Sequence, residues 1–175
     1  PTRMPRPEGL ALAADAYISA QQRTTNYGTR PELRVRTNTY KALVRADLPA
    51  DLSGGEVTSA TLWLYVQAKS GTGTGVVSAY GLKRGWTETA VTWNRPWAGA
   101  GASGASDVEA TAVGSADLIA AGQWIAIDVT AAVQAWAGGA ENDGLLLVCT
   151  GSGEYQFPAR QDASNSPSLS INYTA

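Results

Sequence analysis

The feature that most narrows the fold is a period-two alternation over residues 33–48, LRVRTNTYKALVRADL. On the first arm Leu33 and Val35 alternate with Arg34 and Arg36. On the second, Ala42, Val44, Ala46 and Leu48 alternate with Lys41, Leu43, Arg45 and Asp47. Successive side chains of a strand project to opposite faces. The stretch therefore predicts a β-hairpin with one apolar face and one face carrying Arg34, Arg36, Lys41 and Arg45. Thr37, Asn38 and Thr39 supply the polar, Asn-containing chemistry of the turn. A sheet with one apolar face needs a second layer to bury it, which points to a sandwich.

The rest of the chain agrees. A strand is expected over residues 14–19, followed by a polar stretch with Asn26-Tyr27-Gly28 as a turn. Residues 58–68 form the clearest strand, with Ala60, Leu62, Leu64 and Val66 on one face and Thr61, Trp63, Tyr65 and Gln67 on the other. Strands are expected over 76–82, 107–113, 124–129, 145–149 and 169–173. Residues 98–106, rich in Ala, Gly and Ser, read as a flexible loop. Residues 130–137 read as a short helix, with Val133, Trp136 and Ala137 on one face, Asp128 or Thr130 capping its start and Gly138-Gly139 ending it. Nine or so short strands, one helix and no strand–helix alternation predict an all-β, antiparallel β-sandwich. The domain is expected to span residues 10–175. Residues 1–9, rich in Pro and Arg, read as a tail or linker remnant of a larger multidomain protein.

Charge is unevenly spread. The formal net charge is −2, which argues against a general nucleic-acid binder. Yet residues 21–45 hold six cations (Arg23, Arg30, Arg34, Arg36, Lys41, Arg45) against the single anion Glu32. The chain contains no histidine, which removes Ser/His/Asp and Cys/His catalysis and histidine metal ligation. The one cysteine, Cys149, lies in an apolar run and reads as a small core residue. No run of some 18 apolar residues is present to span a membrane, and no signal-peptide pattern is read.

Several landmarks occur in an order that resembles the DNRLRE-type domain, a jelly-roll module of secreted bacterial and archaeal proteins. They are Asp15-Ala16-Tyr17-Ile18, Asn26-Tyr27-Gly28, Leu33-Arg34-Val35 and residues 42–48. Next come Trp86-Thr87-Glu88 with Val91-Thr92-Trp93-Asn94, Asp128-Val129-Thr130 with Val133-Gln134-Ala135-Trp136, and residues 142–147. Phe157, Arg160, Asp162 and residues 167–173 complete the set. The resemblance implies a jelly-roll sandwich, a non-catalytic role, and an extracellular or cell-surface location. Some such modules resemble carbohydrate-binding modules for alginate and other acidic polysaccharides, and Arg160 matches a family position near the basic sheet. Jelly-roll modules of this kind often hold a structural Ca²⁺, for which Asp15 and Asp162 are the carboxylates at hand.

The chemistry expected is recognition of an anionic polysaccharide. Arginine forks match carboxylates bidentately, as a polyuronate offers along its length. The expected ligand-binding residues are Arg23, Arg30, Arg34, Arg36, Lys41, Arg45 and Arg160, with Tyr27 and Tyr40 as apolar platforms. Of the tryptophans, Trp86, Trp93 and Trp136 are expected in the core, and Trp97 is expected to be exposed. Two further readings stay open. One is a structural or adhesive surface module with no glycan of its own, its cations solvated or paired with the chain's own acids. The other is a small polysaccharide lyase using Tyr40 beside the arginines.

Overall fold

The computed structural model describes residues 9–175, so all of the expected tail except Gly9 lies outside the described residues. In chain order the strands are β1 (Leu10–Ala11), β2 (Ala14–Ser19), β3 (Glu32–Arg36), β4 (Tyr40–Arg45), β5 (Glu56–Val66), β6 (Ala68–Ser70), β7 (Gly75–Gly81), β8 (Gly114–Leu118) and β9 (Gln123–Asp128). Helix α1 (Thr130–Ala137) precedes β10 (Leu145–Gly151), β11 (Glu154–Pro158) and β12 (Ser168–Thr174). All pairings are antiparallel.

The strands pair into a four-stranded sheet, β1-β12-β5-β9, and a larger sheet, β6-β11-β3-β4-β10-β7-β8 with β2 also on β4, and these make two layers. In the front layer β5 pairs with β9 on one edge and β12 on the other. After Gln67, whose N–H donates to the Gln156 carbonyl at 2.9 Å, the chain continues as β6 and pairs with β11. Strand β3 borders β11, and β1 borders β12. In the back layer β4 pairs with β2 and β10, β10 with β7, and β7 with β8. Between the two layers lies one core, with Leu62, Leu64 and Ile127 from the front and Ala42, Val44, Leu147, Cys149 and Phe157 from the back. Each fully buried Leu or Ile there contributes on the order of 2 kcal/mol.

The alternation in β5 is kept: Ala60, Leu62, Leu64 and Val66 are buried, while Thr61, Trp63 and Tyr65 are half-exposed. Strands β2 and β10 behave differently, with apolar side chains buried on both faces. The second face of the back layer is roofed by residues 83–113, and Ile18, Leu43 and Leu146 pack there against Trp86, Val91, Trp93 and Trp97.

This roof corrects two expectations. Residues 98–106 are tied down by one carboxylate. Asp107, 0% exposed, accepts from the N–H groups of Ala98, Gly99 and Gly104 at 2.8, 2.9 and 2.9 Å and from Arg84 Nε at 2.7 Å. Burial alone would raise its pKa, but these donors outweigh burial and hold it below the ordinary range. Residues 107–113 supply only an isolated bridge, Val108 with Leu82, and the strand lies just beyond, at β8.

Helix α1 has the expected span. Asp128 Oδ1 accepts from the Thr130 N–H at 3.0 Å, and Gly138 ends the helix. Gln134 Oε1 accepts from the Val57 N–H at 2.8 Å and Thr130 Oγ1 from the Ala60 N–H at 3.0 Å, stitching the helix to β5.

Candidate functional site: an arginine–tyrosine edge

The expected hairpin face does not stay in one plane. Strands β3 and β4 share a single pair, Arg36 with Tyr40, and then part. Beyond that pair β3 runs beside β11, while β4 runs between β2 and β10. Arg34 and Arg36 are thereby separated from Lys41 and Arg45, which lie on the roofed face of the back layer. The physical reason is visible in β4 itself. Leu43 shares that face and is fully buried beneath the tryptophan segment.

Tyr17, Tyr27, Tyr40, Arg30 and Arg34 gather in one cluster reached from β2, β3, β4 and the loop before β3. The Tyr17 and Tyr27 rings stack with centroids 4.4 Å apart and 11° between planes. Tyr40 meets Tyr17 edge-on at 5.6 Å and 87°. The Arg34 guanidinium lies 5.8 Å from the Tyr17 centroid, and Arg30 lies 5.8 Å from that of Tyr27. Tyr17 is buried, and burial pushes its hydroxyl up to about 12 despite the opposing charge of Arg34. Each arginine–ring contact is worth about 0.5–1 kcal/mol at such exposure and holds a guanidinium in a fixed place.

The loop carrying Tyr27 is itself fixed. Asn26 Nδ2 donates to the carbonyls of Glu88 and Val91 at 2.9 and 2.8 Å, and its Oδ1 accepts from the Gly28 N–H at 3.0 Å. Gly28 is required there, because a Cβ would run into the Glu88 carbonyl oxygen.

Acids of the chain engage part of this row. Arg34 Nη1 lies 3.3 Å from Glu154 Oε2, and Arg30 Nε lies 3.9 Å from Glu32 Oε1. Glu154 faces Arg36 in register yet reaches diagonally to Arg34. Arg36 is left exposed, bordering a cavity of about 250 Å³ shared with Ser70, Gly71, Gly153 and Glu154. Pairs at this exposure contribute less than about 1 kcal/mol, so an incoming carboxylate can compete with them.

The other expected site residues lie elsewhere. Lys41 Nζ donates to the Gly101 carbonyl at 2.7 Å and sits 5.3 Å from the Trp93 ring centroid, and burial lowers its pKa. Arg45 is half-buried, and its Nε has no hydrogen-bond partner. Arg23 is exposed and donates to its own loop, to the Ala20 carbonyl at 3.2 Å. Arg160 is clasped by Glu88 through two bonds of 2.6 Å.

That clasp also involves one of the two carboxylates expected at a cation site. Asp15, 1% exposed, accepts from the Arg160 N–H at 2.8 Å, and its own N–H donates to Glu88 Oε2 at 2.8 Å. Burial, with Glu88 adding to it, raises the Asp15 carboxyl to about 7. Burial acts to raise Glu88 as well, but Arg160 and the Asp15 N–H outweigh it and hold Glu88 low. Asp162 turns back on its own loop, accepting from the Ser164 N–H at 2.7 Å. Among the described residues no group of three or more His, Cys, Asp or Glu side chains is placed to hold a metal ion.

Trp86 and Trp93 are buried, as expected, and Trp136 packs half-buried against the core. Trp97 is a correction. It is 7% exposed, and its indole N–H donates to the Thr92 carbonyl at 2.9 Å. On the outer face of the front layer Trp63, Tyr65 and Trp124 are half-exposed, and Tyr65 and Trp124 meet edge-on at 5.3 Å. Two participants at the edge, Tyr17 and Glu154, were not singled out from the sequence. Tyr17 lies in an all-buried strand with no alternation to mark it, and Glu154 is placed by pairing across a long sequence separation.

The fold is thus an all-β sandwich carrying an edge of tyrosine rings and arginines. The family model for carbohydrate-binding module family 96 matches residues 7–173, and the chain belongs to that family. It is also 29% identical, over 94% of its length, to a protein of Bacillus subtilis (strain 168) named tRNA nuclease WapA. The same identity and coverage hold for the tRNA3(Ser)-specific nuclease WapA of Bacillus spizizenii. The chain spans 7% of the length of each of these relatives. No helix among the described residues is long and apolar enough to cross a membrane.

Proposed function

We propose that this chain is a non-catalytic carbohydrate-binding module that recognises an acidic, uronate-type polysaccharide along the edge formed by Arg30, Arg34 and Arg36. The observation that carries this is the placement of Arg30 and Arg34 against the Tyr27 and Tyr17 rings. Arg36 follows Arg34 two residues along β3, roughly 7 Å further on. Cations repeating along a strand suit carboxylates repeating along a polymer. Tyr27 and Tyr40 offer half-exposed ring surface for the apolar faces of sugars. Lys41, Arg45 and Arg160 fall outside this site, because each is held within the fold. The setting is an extracellular or cell-surface protein of several domains.

The test of ligand class is titration of the chain with soluble polysaccharides, acidic and neutral, by calorimetry. Binding confined to polyuronates and weakened by salt supports the reading. Equal binding to neutral glucans would move the site to Trp63, Tyr65 and Trp124.

A second reading rests on a specific observation. The pairs Arg34–Glu154 and Arg160–Glu88 engage cations within the chain, as a structural or adhesive module without its own glycan would do. Absence of binding to every polysaccharide tried would favour it.

A further inference from the structure

The roof over the back layer contains a cavity of about 370 Å³ that the arginine–tyrosine edge does not use. It is lined by Trp86, Thr87, Ala90, Val91, Arg95 and Pro96. The volume lies within the range of small-ligand sites, about 300–1,000 Å³. The walls are mostly apolar and rigid. The Trp86 indole is fixed by its N–H, which donates to the Asp143 carbonyl at 2.7 Å, and Val91 is buried.

One lining residue carries charge, Arg95. Its backbone is clamped on both sides by Thr92. The Arg95 N–H donates to Thr92 Oγ1 at 3.0 Å, and the Arg95 carbonyl accepts from the Thr92 N–H at 2.9 Å. The guanidinium itself is exposed and makes no hydrogen bond or ion pair among the described residues. Glu88, the acid nearest in sequence, is engaged by Arg160. An apolar wall beside carboxylate-free guanidinium charge complements a ring that has one apolar face and one anionic substituent.

We infer that this cavity is a second sugar subsite, taking a single acidic pyranose unit. The ring's C–H face rests on Ala90 and Pro96 and on the exposed rim of the Trp86 indole. Its carboxylate takes the fork of Arg95, and the Thr87 hydroxyl is at hand for a ring hydroxyl. The subsite rests on the carbohydrate-module reading and is independent of the β3 edge.

The test is a set of amide and indole NMR titrations of the whole chain with D-glucuronate, D-glucose and acetate at equal concentration. Glucuronate is expected to move the Trp86 indole signal and the Ala90 and Val91 amides. Glucose and acetate are each expected to move them far less, because each lacks half of the complement. Arg95→Ala, which removes no contact of the fold, is expected to weaken the glucuronate response about tenfold, with Arg95→Lys falling between. The pair Arg34→Ala/Arg36→Ala is expected to leave these shifts in place. Acetate matching glucuronate, or a response untouched by Arg95→Ala, would overturn the subsite. Polyuronate binding that survives Arg34→Ala/Arg36→Ala, with these shifts retained, would overturn only the edge.

Discussion

Replacing Asp15 by Asn should make the protein more stable above neutral pH and remove much of its pH dependence between about 5 and 8. The Asp15 carboxyl lies in β2 at 1% exposure, with Oδ2 accepting from the Arg160 N–H and Oδ1 buried without a hydrogen-bond partner. Its pKa rises from 3.8 to about 7, because burial disfavours the charge and Glu88 repels it. In the unfolded chain the carboxyl releases its proton near its ordinary value. Between the two values the folded state therefore holds more protons, and stability falls as pH rises. Some three units at about 1.4 kcal/mol each give a ceiling of about 4 kcal/mol, reached above pH 7 and lowered by any relaxation of the site. Asn is neutral throughout and keeps an oxygen to accept from Arg160. Because the unfolded carboxyl is already ionised at pH 5, the variant should lead the wild type by up to about 1.5 kcal/mol there and by up to about 4 kcal/mol at pH 8. Glu88 titrates in the opposite sense: its pKa is held low, so its contribution is present above the unfolded value and is lost as pH falls. That loss lies below this window. Urea midpoints for both proteins at pH 5, 6, 7 and 8 make the comparison. Parallel curves across that range, or a wild type that gains on Asp15→Asn as pH rises, would refute the assignment.

Other outcomes follow from single side chains. Asp107→Ala strips the acceptor from three backbone N–H groups and from Arg84, and should destabilise the protein by about 3 kcal/mol. The Ala98, Gly99 and Gly104 amides should then lose protection in hydrogen exchange. Gly28→Ala drives a Cβ into the Glu88 carbonyl and should cost about 1–3 kcal/mol. It should also weaken polyuronate binding, since Tyr27 moves with the loop, as paired melting and calorimetric titrations would show. Lys41→Met keeps the aliphatic stem beneath Trp93 and loses the bond to the Gly101 carbonyl. It should leave polyuronate binding within about twofold in the same titration, because Lys41 lies outside the proposed site.

Fold class was legible because it rests on local signals. Period two in β5, the boundaries of β2 and α1, and the glycine and asparagine turns all act over a few residues. Two elements were not legible for the opposite reason. Strand β11 alternates over only four residues, Glu154 to Phe157, too few to stand out, and is placed by β3 and β6, each far away in sequence. Within the roof, residues 98–106 read as an Ala-, Gly- and Ser-rich loop, and the buried Asp107 carboxylate that orders them leaves no periodic signal in the sequence.

At the candidate site the row of cations is visible in the sequence, but its break after the single Arg36–Tyr40 pair is not. One signal was present: Leu43 interrupts the charged face between Lys41 and Arg45, and an apolar residue there marks a covered surface. Trp97 was misplaced because its neighbours look mobile by composition, whereas its indole is bonded to the Thr92 carbonyl. Arg160 was counted as a ligand-binding cation, but its partner Glu88 is 72 residues away and no local pattern records the pair.

The most direct test of the proposed edge is polyuronate binding by an Arg30→Ala/Arg34→Ala/Arg36→Ala variant beside the wild type, at low and at high salt. Three arginine–carboxylate contacts, two from exposed and one from a half-buried arginine, at about 1 kcal/mol each predict a loss approaching two orders of magnitude in affinity at low salt. The difference should shrink at high salt, where wild-type binding is itself screened. A folded variant that binds the polyuronate as tightly as the wild type at low salt would contradict the edge as the binding site.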